Sequence, residues 1–215
     1  MLNKKYLVTA GPTFEKIDPV RFIGNYSSGK MGYAIAEELA DHGAEVILVS
    51  GPVTVSTQKS GIKVIPVESA KEMYDVCVAN FPTCDGAVMS AAVADFTPAK
   101  PEVQKTKRGK ENWKIELTPT MDIAAALGQM KKGNQILVGF ALETTNEKAN
   151  AQSKLEKKNL DFIVLNSLND AGAGFGVDTN KITIISKGNK TVPFELKSKK
   201  EVAADIVKMM GSIPG

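Results

Sequence analysis

A doubly wound α/β fold, with a parallel sheet covered by helices on both faces, is predicted by three features of the 215-residue sequence. Short β-branched apolar runs alternate with helix-length segments along most of the chain. The runs are nearly continuous in apolar residues instead of alternating with polar ones, the pattern of strands buried on both faces. The first two end at Gly11-Pro12 and Gly51-Pro52, where a strand gives way to a loop.

The elements follow in order. Residues 5–10 form the first strand, and an irregular stretch leads to a helix over 29–42 that ends at Gly43. Strands are predicted over 44–49 and 63–67, a helix over 70–81, and a buried strand over 86–90. A long polar segment follows, with 113–117 as a short strand. A helix over 122–131, a strand over 136–140, a charged helix over 147–158 and a strand over 162–165 continue the rhythm. The tail departs from it: 181–186 and 191–196 flank Lys187-Gly188-Asn189-Lys190, a hairpin turn. In the last helix, 199–210, Val202, Ile206, Met209 and Met210 are spaced for one face. Without repeats or a low-complexity linker, 1–215 reads as a single domain. The hairpin, about 170–197, either pads a sheet edge or forms a subunit interface; the residues alone lean to padding.

Composition narrows the chemistry. Hydrophobic residues at 43% and charged residues at 24% exclude wholesale disorder. No apolar run reaches the ~18 residues of a membrane span, and the start has no signal-peptide pattern. Lys+Arg 27 against Asp+Glu 24 gives a net charge of +3, too small for a general nucleic-acid binder but compatible with a local basic site. Cys77 and Cys84 are too few for a disulfide scaffold or a four-cysteine zinc site, so a cytoplasmic setting is expected and both read as packing residues. The single histidine, His42, falls in the last turn of a helix, which counts against Ser-His-Asp, Cys-His and multi-histidine metal chemistry.

Ligands in open α/β sheets sit at the carboxyl ends of strands, and the loop there after the first strand is long, 11–28. Ser28 is the expected N-cap of a helix opening at Gly29-Lys30-Met31-Gly32, whose free N–H groups suit a phosphate or carboxylate. Two familiar motifs fail here. Gly24 to Lys30 has the spacing of a P-loop, but Met31 stands where a magnesium-binding Ser or Thr belongs. No G-x-G-x-x-G follows the first strand, and the second ends at Ser50-Gly51 without a ribose-binding carboxylate. By composition alone the lysine-rich 97–112 segment reads as a solvated surface loop; because it follows Ala91-Ala92-Val93-Ala94-Asp95 it should hang over the binding edge, which leaves open a role in neutralising charge growing at phosphorus. Lys154 and Lys158, four residues apart, share a helix face and offer a cationic ledge, with Glu143-Thr144 closing the same rim.

These residues resemble the phosphopantothenate–cysteine ligase family of coenzyme A biosynthesis. The resemblance rests on Ala10-Gly11-Pro12-Thr13, Asp18-Pro19-Val20-Arg21, Asn25 with Ser27 to Gly32, Ser50-Gly51-Pro52, Ala91 to Phe96, Val138 to Thr144 and Lys157 to Asp161. It implies a Rossmann-like domain that joins 4'-phosphopantothenate to L-cysteine through an acyl-nucleotide, with Mg2+ accompanying CTP. By resemblance, Asn25 holds the intermediate with Ser28 and Gly29 at the substrate, and Lys105 stabilises the activation step. Met89, Ser90, Ala91, Asp95, Phe140, Lys154 and Lys158 match nucleotide contacts. The metal ligands are left unassigned. A bacterial, CTP-dependent, cytoplasmic homodimer is implied, with the terminal hairpin at its interface and neither nucleic acid nor membrane as partner. The pattern departs from the family at Arg108, where a lysine is usual, and at Thr120-Met121-Asp122, where Asn-Pro-Asp is usual. The α/β rhythm alone leaves open an NAD-dependent oxidoreductase, and the same crevice would also suit a non-catalytic nucleotide sensor.

Overall fold

The computed structural model describes residues 1–167, 169, 172, 174–188 and 190–213. Its centre is an eight-stranded sheet. Strand β1 (Lys5–Ala10) lies in the middle; the arm strands β2 (Phe14–Lys16) and β3 (Phe22–Gly24) follow it and pair only with each other. Helix α1 (Lys30–Asp41) then returns the chain to β4 (Glu45–Ser50), and β5 (Ile62–Pro66) adds the next parallel strand. Helix α2 (Ala70–Asn80) crosses back to β6 (Gly86–Met89), which pairs with the other side of β1.

A second small arm is made by β7 (Phe96–Pro98) and β8 (Leu117–Pro119). Helix α3 (Ile123–Met130), β9 (Ile136–Glu143), α4 (Glu147–Lys157) and β10 (Phe162–Ser167) complete the parallel units. The end of the chain comprises β11 (Thr179–Asn180), β12 (Ile182–Ser186), β13 (Lys190–Pro193), β14 (Lys197–Ser198) and α5 (Lys199–Ser212). The sheet order is β13-β12-β10-β9-β6-β1-β4-β5, with only β12 and β13 antiparallel to their neighbours.

The period of two along each strand divides the interior into two layers. Tyr6, Val8 and Ala10 of β1 pack with Ile35, Leu39, Ile206 and Val207 on the α1/α5 face. Leu7 points the other way, into Met73, Phe81, Leu127 and Leu155 beneath α2, α3 and α4. Cys77 and Cys84 lie in that second layer, as expected of packing residues, and burial, with Cys84 nearby, pushes the Cys77 thiol up to about 12. Helix starts follow local chemistry: Ser69 Oγ accepts from Glu72 N, Asp122 Oδ1 from Ala125 N, and Ser198 with Glu201 forms a full capping box. His42 sits at the C-cap of α1, its Nδ1 2.9 Å from the Glu38 carbonyl oxygen.

One expected strand is displaced and two small arms are added. The short strand expected over 113–117 is displaced to Leu117–Pro119, because it pairs with Phe96–Pro98 and that register excludes Trp113. The arms β2–β3 and β7–β8 had no sequence signal at all, since three-residue strands carry no measurable period. The terminal hairpin continues the main sheet through β10–β12 pairing with β13 as its edge strand, in line with the padding reading, while its place at a subunit interface stays an expectation. Asn189 of its turn and Asp170, Ala171 and Ala173 at its start lie outside the described residues.

Candidate active site

From β1 the chain moves outward through β4 to β5, then returns to β6 on the other side of β1. At such a reversal adjacent loops diverge, opening a crevice at the carboxyl ends of the strands. A cavity of about 530 Å³ occupies this position, within the roughly 300–1,000 Å³ typical of small-molecule sites. Thr9, Asn25, Gly29, Ser90, Phe140 and Lys158 line it from six separate parts of the chain.

Its floor depends on two glycines of the α1 start. Gly32 brings α1 against β1: a Cβ there would stand 2.6 Å from Ala10 Cβ and 2.9 Å from the Thr9 carbonyl oxygen. Gly29, with φ of +77°, is the N-cap in place of Ser28, and no side chain caps this helix. The left-handed turn, held against Val53, takes Ser28 out of capping geometry. The first N–H groups of α1 therefore have no side-chain partner and face the cavity with the positive end of the helix dipole.

The opposite lip, Ser90–Asp95, is held by three threonines that sequence reasoning missed. Thr9 Oγ1 accepts from Ala91 N at 3.2 Å, and Ser90 Oγ donates to the Thr9 carbonyl at 2.7 Å. Thr13 Oγ1 accepts from Ala94 N at 3.0 Å, and Thr120 Oγ1 donates to the Ala94 carbonyl at 2.6 Å. The available signal was a buried hydroxyl in an apolar strand: Thr9 is 1% exposed. Asn25 joins this lip, its Nδ2 donating to the carbonyls of Ala92 at 2.9 Å and Val93 at 3.3 Å. With its amide nitrogen so engaged, Asn25 Oδ1 is the atom left to face a ligand.

Lys154 and Lys158 reach the far wall, as their four-residue spacing implied, but each carries a carboxylate. Lys154 Nζ lies 2.6 Å from Glu143 Oε1, and Lys158 Nζ 2.9 Å from Asp122 Oδ2. Glu143 is thus a partner of the ledge, and Asp122 serves as both α3 cap and counter-ion. A further cationic end, also unforeseen, comes from α5. Lys199 is 8% exposed and donates to the carbonyls of Gly174 and Val177. Burial lowers its pKa, and Lys30 lowers it further, against the opposing charge of Asp178. Lys30 itself pairs with Asp178 at 2.6 Å.

Among the site residues proposed from sequence, Asn25, Ser28, Gly29, Met89, Ser90, Ala91, Asp95, Phe140, Lys154 and Lys158 all line this one cavity. Lys105 does not; it is exposed on the loop that joins β7 to β8. Both rejected motifs stay rejected. Gly24 belongs to β3, so no Walker loop surrounds Lys30. At the carboxyl end of β4, Ser50 is buried and bonded to the Tyr33 hydroxyl and the Gly51 carbonyl. A Cβ on Gly51 would stand 1.7 Å from the Pro12 carbonyl oxygen, so the two loops pack backbone to backbone there. Among the described residues no three His, Cys, Asp or Glu side chains are grouped to hold a metal. No helix among them is long and apolar enough to cross a membrane.

Residues 1–213 match the family model described as the DNA/pantothenate metabolism flavoprotein C-terminal domain. The chain belongs to this family. It is 44% identical over 211 residues to the coenzyme A biosynthesis bifunctional protein CoaBC of Bacillus subtilis, covering 98% of this chain and 52% of that protein. A protein of an unknown prokaryotic organism named cysteine/cysteine sulfinic acid decarboxylase is 59% identical over 206 residues, 96% of this chain and 57% of that one. The chain therefore spans about half the length of the curated relatives it matches. The crystal structure of the C-terminal domain of a CoaBC protein superposes with a TM-score of 0.82 at 42% identity, covering 98% of this chain and 95% of that one.

Proposed function

We propose that this domain is the phosphopantothenate–cysteine ligase of its family and uses CTP. A carboxylate oxygen of 4'-phosphopantothenate attacks the α-phosphorus of CTP and pyrophosphate leaves. The cysteine amine then attacks the acyl carbon; CMP leaves and the amine loses a proton. The observation carrying the proposal is one crevice in which the uncapped α1 start, the Asn25 amide and the Lys154/Lys158 ledge converge. Phosphopantothenate and CTP are anions and cysteine brings a carboxylate, so fixed dipoles and ammonium groups supply what this chemistry requires, and a histidine base is not needed.

The roles follow from position. The N–H groups of α1 suit the phosphate or carboxylate of the acyl substrate, with Ser28 and Gly29 beside it. Met89, Ser90 and Ala91 at the end of β6 and Phe140 on β9 form the nucleotide side, with Asp95 at the lip. Lys154 and Lys158 face phosphate oxygens; their carboxylate partners keep the ledge neutral until the triphosphate arrives. Magnesium belongs with the triphosphate, which would hold it through phosphate oxygens. A homodimer in the cytoplasm completes the proposal.

The half-reaction tests this reading. With phosphopantothenate, CTP and magnesium but no cysteine, a species with the mass of the acyl-cytidylate should form on the protein. Its absence, with CTP hydrolysed at the same rate whether or not phosphopantothenate is added, would refute the ligase. A change in NADH fluorescence on mixing would instead favour an oxidoreductase. Nucleotide-dependent assembly without pyrophosphate release would favour a sensor.

A further inference from the structure

Asp18 occupies the turn between β2 and β3, at the surface, yet its side chain is 0% exposed. Oδ1 accepts from Val20 N at 2.8 Å and Arg21 N at 3.0 Å, which is all the turn requires. Oδ2 is spent elsewhere: it accepts from Thr106 N at 3.2 Å, across 88 residues, and pairs with Arg21 Nη2 at 3.1 Å. The same Arg21 nitrogen donates to the Thr106 carbonyl oxygen at 2.6 Å. Thr106 is therefore gripped at both its N–H and its C=O. Two flanking contacts extend the grip: Glu102 N donates to the Ile17 carbonyl at 2.9 Å, and the Arg21 guanidinium lies 4.9 Å from the Trp113 ring centre.

Lys105 and Lys107, the neighbours of Thr106, project from this clamp into solvent. The arm that forms the clamp runs through β3 and delivers Asn25 to the cavity one residue after Gly24. One arm thus carries Asn25 at its base and holds the Lys105 segment at its tip. We propose that Asp18 is a positioning residue for Lys105, acting through the backbone of Thr106 and with Arg21 as its second jaw. This rests on the reading of Lys105 as the cation of the activation step. A lysine on an untethered loop would lose much of its orientation in each turnover; a clamped one keeps it, and misplacement by about 1 Å can cost ~10²-fold in rate.

The test combines exchange and kinetics on the whole chain. Asp18→Asn turns a donor toward the Thr106 N–H, so amide exchange at Thr106 should accelerate at least ~10-fold, one tenfold step being about 1.4 kcal/mol. In pyrophosphate release, kcat should fall on the order of 10-fold or more, while KM for phosphopantothenate changes little. The double variant Asp18→Asn/Lys105→Gln should be no slower than Lys105→Gln alone, because both remove the same contribution. Thr106→Pro deletes the N–H while leaving the Asp18 turn whole, and should reproduce the kinetic defect if Asp18→Asn fails to fold. Unchanged Thr106 exchange, or losses that multiply in the double variant, would overturn the clamp while leaving the role of Lys105 standing. A Lys105→Gln protein at full speed would overturn the role of Lys105, and the positioning proposal with it.

Discussion

Asn25 shows how one amide can be both structural and chemical. Its nitrogen donates to two carbonyls of the Ala92–Val93 lip, and the residue lines the cavity. Asn25→Asp would set a carboxylate against those carbonyls and beside an anionic intermediate. Amide formation should fall about 10–10²-fold, the cost of losing a hydrogen bond to a charged group; unaltered turnover would remove Asn25 from the site. The cysteines make the contrasting case. With Cys77 pushed up to about 12 and Cys84 also raised by burial, neither should react with a thiol reagent at pH 8 until the protein unfolds. Prompt labelling of the native chain would contradict the two-layer core. At this scale Lys158 could be placed from its spacing to Lys154, while Asn25 and Ser90 were placed by the family resemblance. Thr13, Thr120 and Lys199 were not legible, because their partners lie across the fold and no short-range pattern marks them.

Among the elements, α1 does most to shape the site. Its approach to β1 depends on Gly32, where an added methyl would meet Ala10 Cβ, the Thr9 carbonyl oxygen and Ser90 Oγ, the last at 2.7 Å. Gly32→Ala should lower stability by ~1–3 kcal/mol through overpacking and displace the anion-facing end of the helix. A urea midpoint equal to that of the parent would show that the contact is soft. The β2–β3 arm supplies a pH test. Burial pushes the Asp18 carboxyl up, but the N–H groups of Val20, Thr106 and Arg21 and the Arg21 charge outweigh it, so its pKa lies below the usual value. Its stabilisation is therefore complete above the unfolded pKa of about 3.9 and is lost as pH falls through the lower folded value. Between pH 5 and pH 3 the parent should lose more stability than Asp18→Asn; parallel losses would contradict the assignment. Strands and helices with a long period were readable from the residues. The two arms were not, since β2, β3, β7 and β8 exist through pairing alone.

Across the whole molecule, the strand order creates the crevice and the two packed layers keep it open. The alternation of buried strands and helices made the parallel sheet legible, and the hairpin of β12 and β13 was recognisable as a pair. Its docking on β10 was not, since an antiparallel edge can go to any strand of suitable length. The exposed apolar side chains bear on assembly: Phe22 and Phe96 are each 50% exposed and Tyr26 93%, all on or beside the arms. Phe175, Val177 and Leu196 of the 170–197 segment are exposed as well, so apolar surface for the proposed homodimer is offered by both the arms and the terminal hairpin. The central claim, that one crevice brings three anions together and joins two of their owners, has a direct measurement. The protein is incubated with phosphopantothenate, cysteine, magnesium and either CTP or ATP, and pyrophosphate and product mass are followed together. The account predicts one pyrophosphate per molecule of phosphopantothenoylcysteine, faster with CTP. Pyrophosphate release without that product, or none from either triphosphate, would contradict it.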